Sequence, residues 1–403
     1  MQQKSLTGFF ENFLKRESLF LDKKALQSSY TPELIQHRDE QIKQVADILA
    51  PALKLERPSN VFIYGKTGTG KTLSVKYTTG QIIEVAKKNN IPLKVTYINC
   101  KLKKIADTEY RLIAQLAREF KKEIPPTGLP TDEIYKIFFS ALDKEKQLLL
   151  LVLDELDQLV KKAGDGILYN LTRINEELKN SQITLIGVSN DLIFADNLDP
   201  RVKSSLSEEE VLFPPYNALQ IKDILQQRIK IAFKKNTIAS GAIEKCAAYA
   251  AREHGDARRA LELLRVAAEI AERTNSNKVG IKHIDDAEEK IERDRVLDII
   301  NTQPKQFQVT LYSILSLYLQ RNKILFTGEI YELYKQLCKK TNLRPLTQRR
   351  VSDVISELDM LGIINAKVIS KGRYGRTREI ALITPSSVNL KIKEILEEGI
   401  GLS

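Results

Sequence analysis

Apolar positions change their spacing twice along this chain. Between residues 60 and 189, four short aliphatic runs, NVFIY (60–64), KVTYIN (94–99), LLLLVL (148–153) and ITLIGVS (183–189), alternate with amphipathic helical stretches. Such runs belong to strands buried on both faces, so the pattern predicts a parallel sheet with flanking helices. Ahead of it, HRDEQIKQVADIL sets Ile42, Val45, Ala46 and Leu49 at helical spacing behind a polar leader. After PPY (214–216) the strand pattern stops, and 217–290 reads as helices punctuated by Gly241, Gly255 and a polar TNSNK turn (274–278). From about 300, further helices lead into IINAKVIS (363–370), a KGRYGR turn and TREIALI (377–383), the alternation of a β-hairpin. Three domains are predicted: an α/β core with its leader over 1–216, an all-helical unit over 217–295, and helices with a hairpin over 296–403.

Composition narrows the class. The 403 residues are 42% hydrophobic and 29% charged, ordinary values for folded domains, which excludes a disordered or fibrous chain. The longest aliphatic run, Leu148 to Leu153, falls far short of the ~20 residues of a membrane span. The N-terminus has no secretory apolar core, so a cytoplasmic protein is expected. Cys100, Cys246 and Cys338 stand too far apart for a CxxC metal site and are assigned to packing. The net charge of +11 matters more, because residues 301–403 carry sixteen basic and nine acidic side chains. That concentration points to a polyanionic partner for the C-terminal domain.

The chemistry begins where NVFIY runs into GKTGTGKT (65–72) and a helix, the setting of a phosphate loop. Gly65, Gly68 and Gly70 free the backbone, including Thr69, to turn its N–H groups toward phosphate. Lys71 can reach the β- and γ-phosphates, and the Thr72 hydroxyl can ligate Mg²⁺. Asp154 and Glu155 end a buried strand, where Asp154 suits the metal ion and Glu155 can polarise a water. Asn190 closes the next strand and can orient that water. Arg201 follows a proline-fixed turn in DPRVKSSL, and Arg258 opens a helix in GDARRAL; an arginine beside a γ-phosphate stabilises transferring charge.

GKTGTGKT, LLLLVLDELD, GVSN, DPR and GDARRAL, in this order, resemble an AAA+ ATPase. HRDEQI before the phosphate loop, FPPYNALQIKDILQQR (213–228) and the basic hairpin narrow the resemblance to archaeal replication initiators of the origin-recognition and helicase-loader type, across almost the whole chain. The resemblance implies an AAA+ core, an all-helical lid and a C-terminal winged helix, with ATP or ADP and Mg²⁺ as ligands. It implies that Asn190 is sensor 1, Arg258 sensor 2 and Arg201 the arginine finger, and it adds Tyr216 and Arg228 to the nucleotide site and His37 and Arg38 to the adenine surroundings. It also implies a helical insertion that touches DNA. The candidate is 105–120, whose Leu112, Ile113, Leu116 and Phe120 form an apolar face while Lys104, Arg111 and Arg118 fall on another; a merely solvated face fits equally well.

In TQRRVSDVISELDMLG (347–362), Val351, Val354, Ile355, Leu358 and Leu361 form an inward stripe. The other face presents Gln348, Arg349, Arg350, Ser352, Asp353 and Ser356, and a helix in the major groove offers its early residues to base edges. A protein-binding winged helix stays open as another use of this face. In the hairpin turn, Lys371, Arg373, Arg376 and Arg378 surround Tyr374, a wing suited to a minor groove or to phosphates. The expected function is an ATP-dependent initiator that binds duplex origin DNA, recruits the replicative helicase, acts with paralogous initiators or further copies of itself, and hydrolyses ATP slowly as a switch. An ATP-liganded transcription regulator and a clamp-loader-like remodeller are the alternatives.

Overall fold

The computed structural model describes residues 17–27, 30–101, 108–125, 128–321, 324–370, 376–383 and 386–402. The chain forms two compact units, Met1–Ile284 and Asp285–Ser403.

In the first unit, helix α1 (Asp39–Leu49) precedes strand β1 (Val61–Tyr64), α2 (Lys71–Lys88) and β2 (Leu93–Asn99). Next come α3 (Glu109–Glu119), α4 (Thr131–Leu142), β3 (Leu148–Asp154), α5 (Leu156–Ala163), α6 (Gly166–Arg173), β4 (Gln182–Ser189), α7 (Pro200–Leu206) and β5 (Glu209–Leu212). The strands form one parallel sheet in the order β2-β3-β4-β1-β5. All seven residues of β3 are buried, as its unbroken aliphatic run requires. Phe62, Leu149, Leu151 and Leu153 pack on one face with α3, α4 and α6, and Ile63, Leu150, Val152 and Val188 pack on the other with α1 and α2. β5 was not expected: EEVL is too polar to read as a strand, and it becomes one because β1 offers it an open edge.

The register places the chemistry. Tyr64 pairs with Ser189 and Asp154 with Val188, so the phosphate loop, Asp154–Glu155 and Asn190 all leave the sheet at its C-terminal edge. In open α/β sheets that edge is where ligands bind.

Helices α8 (Ala218–Ala232), α9 (Ala242–Arg252) and α10 (Ala257–Arg273) form the lid, with Leu225, Cys246, Leu263, Leu264 and Ala267 in its interior. The leader does more than the polar pattern suggested. Phe20 bridges to Phe233 with their rings stacked at 4.9 Å, the Leu21 N–H donates to the Ala232 carbonyl, and Lys23 pairs with Glu269 of α10 at 2.6 Å. Residues 17–26 thus strap across the lid before the chain enters the core.

The second unit begins within α11 (Ile281–Thr302). It holds α12 (Lys305–Arg321), strand β6 (Leu325–Phe326), α13 (Thr327–Lys340), α14 (Gln348–Met360), β7 (Ile364–Ser370), β8 (Arg376–Leu382) and α15 (Ser386–Ile400). β7 and β8 form the expected antiparallel hairpin, and the unexpected β6 pairs with the other edge of β8, which makes β8 the centre of the sheet. Val351, Val354, Ile355 and Leu358 are buried with Ile314, Tyr334, Ile380 and Leu396. Leu361 corrects the predicted stripe: α14 ends at Met360, and Leu361, its C-cap, is exposed. The three cysteines are buried and form no disulfide. Among the described residues no helix is long and apolar enough to cross a membrane.

Candidate nucleotide site and candidate DNA face

The phosphate loop turns on left-handed residues. Gly68 and Gly70 have φ of +70° and +89°, a conformation that strains any other L-residue, and Gly70 caps α2. Behind them Lys71 is 4% exposed, and its Nζ donates to the carbonyls of Gly65 and Lys66, both at 2.7 Å. Burial, with the positive charge of Arg258 adding to it, brings the Lys71 ammonium down to about 8. The Thr72 hydroxyl donates to Asp154 Oδ2 at 2.9 Å, and the Tyr97 hydroxyl at the end of β2 donates to the same oxygen. Burial, then the bond to Asp154, raises the Tyr97 phenol, so it remains a donor.

Glu155 follows in the left-handed region at φ +56°, a conformation found at sites that hold a side chain in a set direction. Its Oε2 lies 3.6 Å from Lys101 Nζ. Asp157, the second aspartate of DELD, went unread as a site residue. It is buried, and its Oδ1 accepts from Ser189 Oγ at 3.2 Å and from the Asn190 N–H at 3.5 Å. It therefore ties the end of β4, and Asn190 with it, to the start of α5.

The lid closes over this loop. Asp256 caps α10 by accepting from the N–H of Arg258 at 2.8 Å and of Arg259 at 3.3 Å, and its carboxylate lies against Gly68, where a Cβ would come within 1.7 Å of Oδ1. The Ala257 N–H reaches the Gly68 carbonyl at 3.3 Å, and Lys66 Nζ lies 3.2 Å from His254 Nδ1. Between loop and lid runs a cleft with an apolar wall of Tyr30, Pro32, Ile35, Ile224 and Leu261. Gly68, Gly70, Thr72, Tyr216, Arg228 and Arg258 are among the other residues that line it.

Arg228 is 5% exposed and its guanidinium sits 4.5 Å from the centre of the Tyr30 ring, yet Nε and Nη1 have no hydrogen-bond partner. Burial holds that guanidinium below its usual range. Unpaired buried donors at a cleft wall suit an anionic ligand. The left-handed loop, the Thr72–Asp154 oxygen pair and these donors together fit a magnesium nucleotide.

One expectation changes. His37 and Arg38 do not line the cleft, whose leader wall is made by residues 30–36. His37 Nε2 lies 2.9 Å from Asp223 Oδ2. Arg38, fully buried, donates from Nε to the Thr69 carbonyl at 2.7 Å and from Nη2 to the Pro214 carbonyl at 2.6 Å, stacked 3.7 Å over the Tyr216 ring. It is a strut between the phosphate loop and the core–lid junction. Arg201 stands outside the cleft. It is largely exposed and makes a two-pronged pair with Asp199, Nε to Oδ1 and Nη2 to Oδ2, each at 3.1 Å, above the Tyr169 ring.

On α3, Arg111 and Arg118 are exposed beside the buried Leu112, Ile113 and Leu116, and Arg118 Nη2 donates to the Ile124 carbonyl at 3.2 Å. Lys104 lies outside the described residues. In the second unit, Thr347 caps α14, and Gln348, Arg349 and Arg350 stand exposed in its first turn. Arg350 pairs with Asp353 at 3.5 Å. Of the hairpin residues, Lys371, Arg373 and Tyr374 fall outside the described residues, Arg376 opens β8 opposite Ser370, and Arg378 reaches back to α14.

Family models match all three parts of the chain: an AAA domain at 55–193, a Cdc6 AAA+ ATPase-type lid domain at 222–289, and a CDC6 C-terminal winged helix domain at 298–391. An ORC1-type DNA replication protein of Pyrococcus abyssi is 54% identical over 96% of this chain and 93% of its own length. The chain belongs to the ORC1-type DNA replication protein family. ORC1-type DNA replication protein 1 of Archaeoglobus fulgidus is 51% identical over 97% of this chain and 94% of that protein. The structure of the Aeropyrum pernix ORC1 protein in complex with DNA aligns with a TM-score of 0.81 at 41% identity, covering 95% of this chain and 98% of that one. Cdc6p from Pyrobaculum aerophilum, at 20% identity and a TM-score of 0.60, shares the fold.

In this ORC1-type chain, Tyr97, Asp157 and Asp256 join the site without having been singled out in the sequence. Asp157 had a local signal, the third acid of DELD, and Asp256 had another, the capping aspartate of GDAR. Tyr97 had none, because nothing local says which strand-end tyrosine will lie beside β3.

Proposed function

We propose that this chain is an ATP-dependent replication initiator that binds duplex origin DNA, helps to recruit the replicative helicase, and uses slow ATP hydrolysis as a switch. The observation that carries the nucleotide half is the cleft, in which the phosphate loop, Thr72–Asp154 and lid residues Arg228 and Arg258 converge. For the DNA half, the exposed first turn of α14 and the 41% identical relative whose structure contains DNA support the reading. Bound Mg²⁺ supplies charge compensation at the β- and γ-phosphates. Lys71 turns its ammonium from the Gly65 and Lys66 carbonyls to those phosphates, with Gly65, Gly68, Thr69, Gly70 and Thr72 around it. Glu155 accepts the proton of the attacking water, Asn190 orients that water, and Arg258 reports the γ-phosphate to the lid. Tyr216 and Arg228 hold the nucleotide on the lid side. Arg201 serves a neighbour's site after leaving Asp199, which makes association with a paralogue or a second copy part of turnover.

On the DNA, Gln348, Arg349, Arg350 and Ser352 of α14 read the major groove. The wing residues Lys371, Arg373, Tyr374 and Arg376 grip phosphate or minor groove, and Arg111 and Arg118, with Lys104, add a second contact. The test is a crosslinking map of the protein on its own genome. Peaks confined to replication start sites, lost in Lys71→Ala, are expected; peaks spread over promoters would make the chain a transcription regulator instead.

A further inference from the structure

Arg378 was read from the sequence as one of four wing cations, but its guanidinium turns to the recognition helix. Its Nη1 donates to the Ser352 carbonyl of α14 at 2.8 Å and also to Ser356 Oγ. The Ser356 hydroxyl in turn donates to that Ser352 carbonyl at 3.1 Å, so two turns of one helix edge are joined through a single guanidinium. Alternation along β8 puts Arg378 on the same face as Ile380, which is fully buried, and the side chain itself is half-buried. β8 is the central strand, held by β6 at Glu379 and Ile380 and by β7 along its whole length. Arg378 pairs with Val368 of β7, directly before the two residues of β8 that also pair with β6. Its two acceptors lie between the buried stripe of α14 and the exposed face that carries Arg349 and Asp353.

We infer that Arg378 is a positioning residue for sequence recognition: it fixes the rotation and depth of α14 against the sheet, so that Gln348 and Arg349 meet base edges in register. The inference rests on the reading of α14 as the base-reading helix. The physical reason is geometric. Both bonds leave one terminal nitrogen, Nη1, whose two hydrogens the planar guanidinium holds in fixed directions, whereas an ammonium sits on a shorter stem and rotates freely. The buried stripe of Val351, Val354, Ile355 and Leu358 sets the coarse orientation of α14, and any small residual rotation about its axis displaces the long first-turn side chains. Contacts to phosphate tolerate that displacement better than paired contacts to base edges.

The test uses full-length protein and fluorescence-anisotropy binding to two 30-base-pair duplexes: one selected by the wild-type protein from a random pool, the other its scrambled counterpart, across a salt series. Arg378→Lys keeps the charge and loses the planar, fixed donor at that reach. We expect it to weaken the selected duplex about tenfold, with the scrambled duplex and the salt slope unchanged. Ser356→Ala, which removes one acceptor from an edge of the helix, should act in the same direction by about threefold and should not add to Arg378→Lys. If Arg378 contacted phosphate instead, Arg378→Lys would retain affinity for both duplexes, while Arg378→Ala would lose both equally and lower the salt slope by about 0.9; that result overturns the inference. If Arg378→Lys lowers the melting temperature sharply, Ser356→Ala decides alone, and an unchanged selected-to-scrambled ratio in it overturns the inference. Arg349→Ala separates the two levels. A lowered ratio there with no change in Arg378→Lys sinks the positioning role by itself, whereas no change in Arg349→Ala sinks base reading by α14 and the inference with it.

Discussion

Raising the pH from 7 to 9 should weaken nucleotide binding by a calculable factor, because Lys71 is a buried cation with a lowered pKa. Its ammonium loses water on entering the phosphate loop, and Arg258 adds repulsion that Asp154, Asp157 and Asp256 only partly offset, so the free protein releases that proton near 8 rather than near the ordinary lysine value of 10.5. Bound phosphates favour the charged form and hold the proton on. The sign follows: affinity is full below pH 8 and falls as the free protein deprotonates above it. With a pKa of about 8, Lys71 is about nine-tenths protonated at pH 7 and about one-tenth at pH 9. The dissociation constant should therefore rise about tenfold, or about 1.4 kcal/mol. A lysine at 10.5 would lose only about 3% of its charge over the same range. Calorimetric titration with MgADP in two buffers of different ionisation enthalpy measures both quantities, and at pH 8 binding should take up about half a proton. Arg258→Ala binds more weakly but should move the fall in affinity to higher pH, since the repelling charge is gone. A dissociation constant that stays within twofold between pH 7 and 9, with no proton uptake, would refute the reasoning.

Glu155→Gln should leave nucleotide affinity within about twofold and reduce steady-state hydrolysis by about 10²-fold or more; turnover at the wild-type rate would remove Glu155 from the role of base. Arg201→Ala mixed with Lys71→Ala should recover part of the ATPase rate through mixed interfaces, and a rate linear in protein with no recovery would place Arg201 outside any shared site. Gly68→Ala, at φ +70° and with its Cβ 1.7 Å from Asp256 Oδ1, should destabilise the first unit by about 1 kcal/mol or more in a denaturant melt and weaken nucleotide binding, because loop and lid can no longer touch.

Much of this site was legible in the residues alone. A phosphate loop is a local object: glycine spacing sets the left-handed turns, and the lysine and threonine that follow are carried by the same few residues of backbone. The same holds for the acidic end of a fully apolar strand, for the capping aspartate of GDARRAL, and for the apolar stripe that sets which face of α14 is exposed. Periodicity also separated the parallel sheet, the helical lid and the hairpin, since each has its own repeat.

What the sequence could not settle is every direction that depends on a distant partner. Arg38 carries the same letters whether it lines a base pocket or braces a loop, and its acceptor on Pro214 is 176 residues away. EEVL becomes β5 only where β1 leaves a free edge, and the leader becomes a strap only where Phe233 and Glu269 meet it. Arg378 shares a basic turn with three neighbours, yet the pleat of β8 and the packing of α14 turn it inward. Local steric preference and hydrophobic period determined the elements and their chemistry. Which side chains meet across elements was decided by the tertiary packing, because a charged group in the interior takes whatever partners the fold brings within hydrogen-bond reach.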